Sequence, residues 1–429
     1  MEPIIHFNPT SLVKPSTHPA NGSLQRRIDF TPLDLQLLPV NYFQFGLLYN
    51  KPTPKQLEEE LIGNSVINHL KDSLSRTLGI FTLSCRHRTP RQDKGAEFIE
   101  AVAPGVTVAQ ILEPTYVPEV VYSLLPMEGV RNFEGISKPL LAVQVTELVD
   151  GLFVGIAINH SVADGTAFWH FVNTWSEISK NHYLVQDIIV DKVEEPSNSA
   201  LGEVKIFHFS KKSIAAVKAK ANAQFGSCSA SNISISSLQA TIAHFWRSIT
   251  RVKLLEVEEE EEEEKEETHC KISVNVRHRL RPPLPDKYLR NAVVVGSTTA
   301  TAGELLEHGL GWTALQVNKM IARQTDEEIK KNLKAWVERP QAPKLGQPGS
   351  NMGGLDVGGS PWFNVYGNDF GWGKGPITVR GGLEKLLDCT IFSHPGGEED
   401  GSVDIHACLD PQILLALEND TEFMTALST

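Results

Sequence analysis

An apolar run in the middle of the chain constrains the fold more than any other feature. Residues 152–158 are apolar almost throughout, which predicts a strand buried on both faces. Asp150 and Gly151 directly before it are a strong hairpin signal, so the β-like segment 140–149 is expected to pair with this strand. A helix is expected next, with Thr166 as its possible cap and with apolar side chains at helical spacing: Phe168, Phe171, Val172, Trp175 and Ile178. Because strands and helices are interspersed throughout the chain, the sequence predicts a mixed α/β fold.

The rest of the chain indicates two comparable halves of this mixed kind. Cap and periodicity signals predict helices after Thr31 and Ser65, at residues 211–223, 236–246 and 303–336, and after Asp410. Strands are expected at 272–276, 362–366, 377–380, 386–392 and 403–409. Loop composition at 194–199 indicates a crossover. We therefore predict an N-terminal domain over 1–185, a crossover loop over 186–212 and a C-terminal domain over 213–429.

Charge and composition argue against several classes of function. The net charge of -12 disfavours nucleic acid as a partner, because phosphate binding needs clustered lysine and arginine. No apolar run approaches the roughly 20 residues that span a bilayer, and the N-terminus lacks the pattern of a secretory signal. A cytoplasmic protein without membrane contact is therefore expected. The five cysteines are scattered, which predicts reduced thiols and no zinc.

An unbroken run of glutamates occupies residues 258–264. Like charges repel one another, so we expect a solvated, disordered acidic insertion at about 256–267. A metal site is not expected there, because metal ligands need positions fixed by outer contacts that such a run lacks.

One histidine follows the apolar strand directly. His160 is followed by Asp164 and then by Gly165. Histidine titrates near neutral pH and is the usual side chain for proton transfer, and the end of a buried strand would hold it rigidly. Asp164 could be a catalytic partner or a structural anchor that pairs with an arginine. The spacing alone leaves both open, since a histidine and an aspartate at this spacing also arise by chance.

A second motif far downstream gives these residues a family context. Residues 160–165 read His-Ser-Val-Ala-Asp-Gly and residues 369–373 read Asp-Phe-Gly-Trp-Gly. Both motifs, in this order, resemble those of the plant BAHD acyltransferase family, whose members transfer acyl groups from coenzyme A thioesters to hydroxyls or amines. Shorter segments with the family's pattern, around Thr31, Ser237 and Arg277, extend the resemblance along most of the chain.

The resemblance implies a chloramphenicol-acetyltransferase-like fold. Two similar mixed-sheet domains would be joined by a long crossover loop, with the active-site channel between them. Acyl-CoA would be a co-substrate and a small molecule the acceptor. No tightly bound cofactor, metal or acyl-enzyme is implied, and the protein is expected to be a monomer in plant specialised metabolism.

The resemblance also implies a role for each site residue. His160 would be the general base on the acceptor, and Asp164 would turn away from the channel and pair with Arg277 or Arg279. Gly165 and the second motif would be structural supports of the site; the motif's members are Asp369, Phe370, Gly371, Trp372 and Gly373. Ser360 and Trp362 resemble the family's hydroxyl and tryptophan near the oxyanion.

Departures from the family pattern keep other functions open. Residues 81–86 lack the family's glycine, and Arg290 replaces another; we expect Arg290 to be solvated rather than bound to substrate. One alternative is a lyase of this fold that acts on an isochorismate-derived conjugate, similar to isochorismoyl-glutamate, in salicylate metabolism. A second is a catalytically silent binding protein. The intact His160 favours the acyltransferase over the binding protein.

Overall fold

A computed structural model provides the coordinates. It describes residues 4–16, 30–54, 65–81, 95–114, 116–180, 190–193, 204–226, 233–255, 265–341, 353–373, 377–380, 389–397 and 401–428. Several sequence predictions concern residues outside these ranges: the glutamate run 258–264, residues 82–86 and most of the predicted crossover.

The strands, in chain order, are β1 His6–Phe7, β2 Thr10–Val13, β3 Phe43–Asn50, β4 Ala96–Val102, β5 Leu141–Glu147, β6 Gly151–Ile158, β7 Val190–Val193, β8 Val204–Phe209, β9 Glu267–Asn275, β10 Val293–Thr301, β11 Gly354–Gly359, β12 Ile377–Arg380, β13 Thr390–Pro395 and β14 Val403–Cys408. The α-helices are α1 Pro32–Leu35, α2 Val66–Ile80, α3 Val108–Leu112, α4 Val120–Ser123, α5 Gly165–Lys180, α6 Lys211–Gly226, α7 Ser237–Leu255, α8 Ala302–Ala322, α9 Asp326–Glu338, α10 Pro411–Asn419 and α11 Thr421–Ser428. A 3₁₀-helix spans Asn132–Ile136.

The first sheet has the order β12-β3-β6-β5-β4-β2-β7, and β1 also pairs with β4. Strand β6 lies in its interior, antiparallel to both β3 and β5, and every residue of β6 is buried. The predicted hairpin and the predicted strand with two buried faces are therefore confirmed. Helices α2 and α5 contribute Leu70, Leu74, Phe168 and Trp175 to the core that covers this sheet.

The second sheet has the order β10-β9-β11-β13-β14-β8. Its core includes Phe245 and Trp246 from α7, Leu305 from α8, and Ile391 from β13. The two mixed sheets with their helices confirm the predicted α/β class. Strand β12, although it comes late in the chain, pairs with β3 in the first sheet, so the two halves interlock.

Local signals placed many elements, and two expectations about strands and loops were wrong. Thr31, Ser65 and Asp410 cap their helices as predicted. No strand forms at 362–366; β11 ends at Gly359, whose φ of 75° turns the chain out of the sheet. The helical region expected over 303–336 is confirmed as two helices, α8 and α9, and Gly309, with a φ of 76°, interrupts the first. Glu267, expected in the acidic insertion, is the first residue of β9.

Candidate active site

A short turn joins the buried strand β6 to helix α5 and carries His160. Asn159 holds this turn together. Its backbone N–H donates to the carbonyl of Leu140 at 2.8 Å, and its Oδ1 accepts from the Ser161 N–H at 3.1 Å. Its Nδ2 donates to the Asn132 carbonyl at 2.8 Å. Because Asn159 is fully buried and bonded in several directions, the next residue leaves the sheet in a defined direction.

The backbone of His160 is held at both polar groups by asparagine side chains. Its N–H donates to Oδ1 of Asn132 at 2.7 Å, and its carbonyl accepts from Nδ2 of Asn291 at 2.9 Å. The imidazole is partly exposed and stands edge-on to the Phe43 ring, with centroids 5.2 Å apart at 76°. A partly exposed imidazole on a fixed backbone is suited to exchange a proton with a small molecule.

The Asp164 carboxylate is fully engaged by donors. Arg277 donates to it through both terminal nitrogens at 2.7 and 2.8 Å, and both side chains are only 1% exposed. The backbone N–H groups of Ala292 and Ala167 donate at 2.9 and 3.0 Å. With four donors on its two oxygens, this carboxylate has no free direction toward the histidine. The geometry therefore matches the anchor rather than the catalytic partner.

Two alternatives for this turn are corrected by these contacts. The residue that caps α5 is Asp164 and not Thr166, because the carboxylate accepts from Ala167 in the first turn. Arg279 is not the partner of Asp164; its guanidinium donates to the carbonyls of Ile321 and Gln324 at 3.0 and 3.1 Å. Asp164 thus joins the start of α5 to the segment between β9 and β10.

Gly165 allows close packing at the start of α5. A Cβ atom at this position would lie 2.9 Å from Cζ of Phe363. Phe363 belongs to the turn after β11, which also carries Ser360 and Trp362. The glycine therefore brings that turn against the end of the histidine motif.

Ser360 and Trp362 lie in that turn. The Trp362 N–H donates to Oγ of Ser360 at 3.2 Å, and the Trp362 side chain is 88% exposed. The structure brings the turn next to α5 through Phe363. Their role near the oxyanion stays a prediction.

The second motif packs against the far end of the same helix. The Phe370 ring is edge-on to Trp175 at 4.8 Å, and its carbonyl accepts from Oγ of Ser179 at 2.9 Å. Trp372 and Phe370 are buried beside Tyr49 of β3. Since α5 has 16 residues at 1.5 Å each, it is about 24 Å long, with the first motif at its start and the second motif against its C-terminal part.

Asp369 closes the loop of the second motif. Its Oδ1 accepts from the N–H groups of Gly371 and Gly373 at 3.0 and 2.9 Å, and its Oδ2 pairs with Nζ of Lys180 at 2.8 Å. Burial alone would raise the pKa of Asp369, but the Lys180 and backbone hydrogen bonds outweigh it and hold the pKa below its usual value. The positive φ angles of Gly371 and Gly373, 115° and 109°, give this loop its shape.

Arg290 is not solvated, and the expectation that it would be was wrong. Its guanidinium pairs with the buried Asp34 carboxylate at 2.7 Å and lies over the Phe30 ring at 5.5 Å. Asp34 also accepts from Nδ2 of Asn291 at 2.9 Å. Helix α1, which carries Asp34, is thereby joined to the segment before β10. The Thr31 cap pattern placed Asp34 on that helix, but no signal indicated this distant partner.

Three further observations concern the described residues only. They contain no group of three or more histidine, cysteine, aspartate or glutamate side chains placed to hold a metal ion. No helix within them is both long and apolar enough to cross a membrane. Cys270, Cys389 and Cys408 are buried, and burial raises the pKa of Cys270, which keeps it a protonated thiol.

Comparisons with known proteins match nearly the whole chain. The family profile described as Transferase family matches residues 5–195 and 181–424. An uncharacterized acetyltransferase of Arabidopsis thaliana is 36% identical over 98% of this chain and 98% of its own length. The protein called BAHD acyltransferase DCR, also of Arabidopsis thaliana, is 30% identical over 96% of this chain and 90% of its own.

Solved structures share the fold at lower identity. Vinorine synthase superposes with a TM-score of 0.71 at 20% identity and covers 99% of this chain and 98% of its own. The TRI101 protein of F. sporotrichioides, solved with coenzyme A and T-2, has a TM-score of 0.70 at 16% identity and covers 93% of this chain and 98% of its own.

Proposed function

Because the chain belongs to the BAHD acyltransferase family and is an acyltransferase, we propose that His160 is the general base that activates its acceptor. The acyl donor is a coenzyme A thioester, and the acceptor is a hydroxyl or amine of a small plant metabolite. Coenzyme A acts as a co-substrate and is not a tightly bound cofactor. The TRI101 structure with coenzyme A supports this assignment of the donor.

The proposed reaction is a direct transfer. His160 accepts the proton of the acceptor O–H or N–H as that oxygen or nitrogen attacks the thioester carbonyl. The tetrahedral intermediate then collapses, the carbon–sulfur bond breaks, and the coenzyme A thiolate takes the proton from the imidazolium. General base catalysis of this kind contributes roughly 10²–10⁴-fold in rate. The products are the ester or amide and free coenzyme A.

One observation carries the assignment of the base: the structure separates the histidine from the aspartate. His160 is partly exposed, and its backbone N–H and carbonyl are both hydrogen-bonded. The Asp164 side chain, in contrast, is only 1% exposed and is paired with Arg277. Asp164 is therefore proposed as the brace of the turn, with Arg277 as its partner. The second motif is proposed as the support at the other end of α5.

Donors for the developing oxyanion are proposed from the turn after β11. Ser360 can donate a hydroxyl hydrogen bond, and the exposed indole of Trp362 can move against a ligand. The proximity of this turn to α5 through Phe363 supports the assignment. Cytoplasmic location, a monomeric state and a place in specialised metabolism are likewise proposed from the sequence.

Calorimetry with coenzyme A and acyl-CoA thioesters tests the donor. We expect saturable binding of at least one acyl-CoA. A screen of acyl-CoA donors against pooled plant phenolics, amines and amino-acid conjugates, read by mass spectrometry, then identifies the product. An acceptor mass increased by the acyl group supports the proposal. Breakdown of an amino-acid conjugate without consumption of acyl-CoA would contradict it, as would a failure of any acyl-CoA to bind.

Replacement of the base tests its role. With the identified substrates, His160→Ala should lower kcat/KM by about 10²–10⁴-fold, while acyl-CoA binding in calorimetry is retained. His278→Ala is the matched control, because the His278 side chain is 74% exposed and pairs with the surface residue Asp286. If His160→Ala kept the activity of the wild type, the general-base assignment would be wrong.

A further inference from the structure

The backbone of His160 lies between two side-chain amides, one from each half of the chain. Asn132, from the first half, accepts the histidine N–H, and Asn291, from the second half, donates to the histidine carbonyl. His160 belongs to no strand or helix, so side chains replace the partners that a sheet or helix would supply. The direction of the imidazole depends on the backbone of His160, because the two peptide groups that flank Cα fix the direction of the Cα–Cβ bond.

The two amides are themselves anchored differently. Nδ2 of Asn132 donates to the carbonyls of Leu37 and Asn41 at 2.8 and 3.3 Å, within the first half. Nδ2 of Asn291 has two hydrogens: one serves His160 and the other serves Oδ1 of Asp34 at 2.9 Å. Asp34 in turn is held by Arg290 at 2.7 Å. The amide of Asn291 therefore reaches across the two halves.

The orientation of the Asn291 amide follows from its neighbours. A flip of the amide would place its oxygen against the Asp34 carboxylate and the His160 carbonyl, which are both acceptors. Its Oδ1 makes no hydrogen bond to any residue that the structure describes, although the side chain is 1% exposed. The two hydrogen bonds that Nδ2 of Asn291 donates therefore determine the orientation of this amide.

We propose that Asn291 is a positioning residue for His160. It sets the direction of the imidazole by holding the histidine carbonyl, and it does so only when the segment before β10 lies against α1. Asp34 accepts a hydrogen bond from the Asn291 amide and pairs with Arg290, so these two residues fix the orientation of the amide at the contact between the two halves. The proton-transfer group is thereby aligned by the same contact that brings the two halves together. This inference goes beyond the proposed function, since it concerns the geometry of His160 in the absence of any substrate.

Chemical reactivity of His160 tests the proposal without a substrate. Diethylpyrocarbonate modifies neutral imidazoles, and peptide mass spectrometry gives the rate at each histidine. In Asn291→Ala, the rate at His160 relative to His278 should rise at least threefold, because the freed turn exposes the ring. Asn222→Ala is the matched control, since Asn222 also donates to two carbonyls, those of Lys218 and Ile235, but lies on α6. An unchanged ratio in Asn291→Ala would overturn the proposal.

A second variant covers the case in which Asn291→Ala does not fold. Asp34→Asn keeps Asn291 but weakens the partner that orients its amide, so a smaller rise at His160 is expected in the same assay. No rise would overturn the proposal.

A double-mutant cycle measures the same coupling in the reaction, and this arm rests on the proposed function. Asn291→Ala should lower kcat/KM in the wild-type background and have no further effect in His160→Ala, because it acts through that residue. An equal loss in both backgrounds would indicate a general structural role and overturn the proposal. If no acyl transfer is found, the proposed function fails while the reactivity assay still decides the positioning role.

Discussion

At the scale of single residues, Asp164 shows how contacts decide a role that spacing leaves open. The sequence permitted Asp164 to be either a catalytic partner of His160 or a structural anchor, because both roles are compatible with a spacing of four residues. Four donors at 2.7–3.0 Å distinguish them, because they occupy the carboxylate from two backbone groups and one guanidinium. A bidentate pair with arginine also fixes the plane of the carboxylate. Asp164 therefore stabilises the turn on which His160 stands.

Replacement of Asp164 should therefore cost stability. Asp164→Asn leaves the Arg277 guanidinium buried without its counter-charge, so the free energy of unfolding should fall by about 3–5 kcal/mol. Urea denaturation checks this. Glu328→Gln, which removes one partner of an exposed pair with Lys331, is the control and should change stability by about 0–1 kcal/mol. Wild-type stability together with lost activity in Asp164→Asn would instead indicate a chemical role for Asp164.

At the scale of elements, helix α5 explains why two distant motifs belong to one site. Its first residue follows the Asp164 anchor, and its last turn holds the second motif through Ser179 and Lys180. Any change in the loop of the second motif therefore acts on the helix that begins at the histidine turn. The loop depends on glycines with positive φ, and this backbone requirement can be tested separately from packing.

Gly373 and Gly105 provide a matched pair for that test. A Cβ atom at either position meets nothing within 4 Å among the residues that the structure describes, but of the two only Gly373 has a positive φ, of 109°. Gly373→Ala should therefore lower the free energy of unfolding by about 1–3 kcal/mol through backbone strain alone. Gly105→Ala should be neutral or stabilise by about 0.4–1 kcal/mol. Equal effects in thermal and urea unfolding of the two variants would argue against a strained loop.

At the scale of the whole molecule, the C-terminal helices make stability sensitive to acid. Burial lowers the pKa of His244 on α7 to about 4, and its ring stacks on Phe423 of α11. Burial alone would raise the pKa of Glu422, but Lys220, Arg247 and Arg251 outweigh it and lower this pKa to about 2. Both shifts mean that the unfolded chain binds protons more readily than the folded protein. The stability that these two groups contribute is therefore full above pH 6.5 and falls as the pH decreases.

The contribution of His244 can be isolated. As the pH falls from 6.5 to about 4, the unfolded state gains a proton at this residue before the folded state does. His244→Gln cannot gain it, so the stability lost by the wild type on acidification should exceed that of the variant by about 3 kcal/mol below pH 4. Urea unfolding at a series of pH values measures the difference. His278→Gln should keep the wild-type dependence, and parallel curves for His244→Gln and the wild type would contradict the prediction.

Local signals predicted much of the fold, whereas contacts between distant residues could not be predicted. The caps at Thr31, Ser65 and Asp410 and the buried strand before His160 depend on neighbours in the chain, and all of them are found. The motif pair located the site through family resemblance. The burial of Arg290 against Asp34, and the amides on the His160 peptide, join residues far apart in sequence, and no local pattern reports them.

The late strand β12 has a consequence for biosynthesis. It covers β3, whose residues are buried except the last, and it comes from residues 377–380 of 429. While the ribosome is still translating the second half, β3 is an unpaired edge strand of a largely apolar sheet. Such edge strands readily pair with strands of other chains. We therefore expect the first half to be the aggregation-prone part of the nascent chain until the ribosome has released β12. Expression of the first half alone would make that exposure permanent.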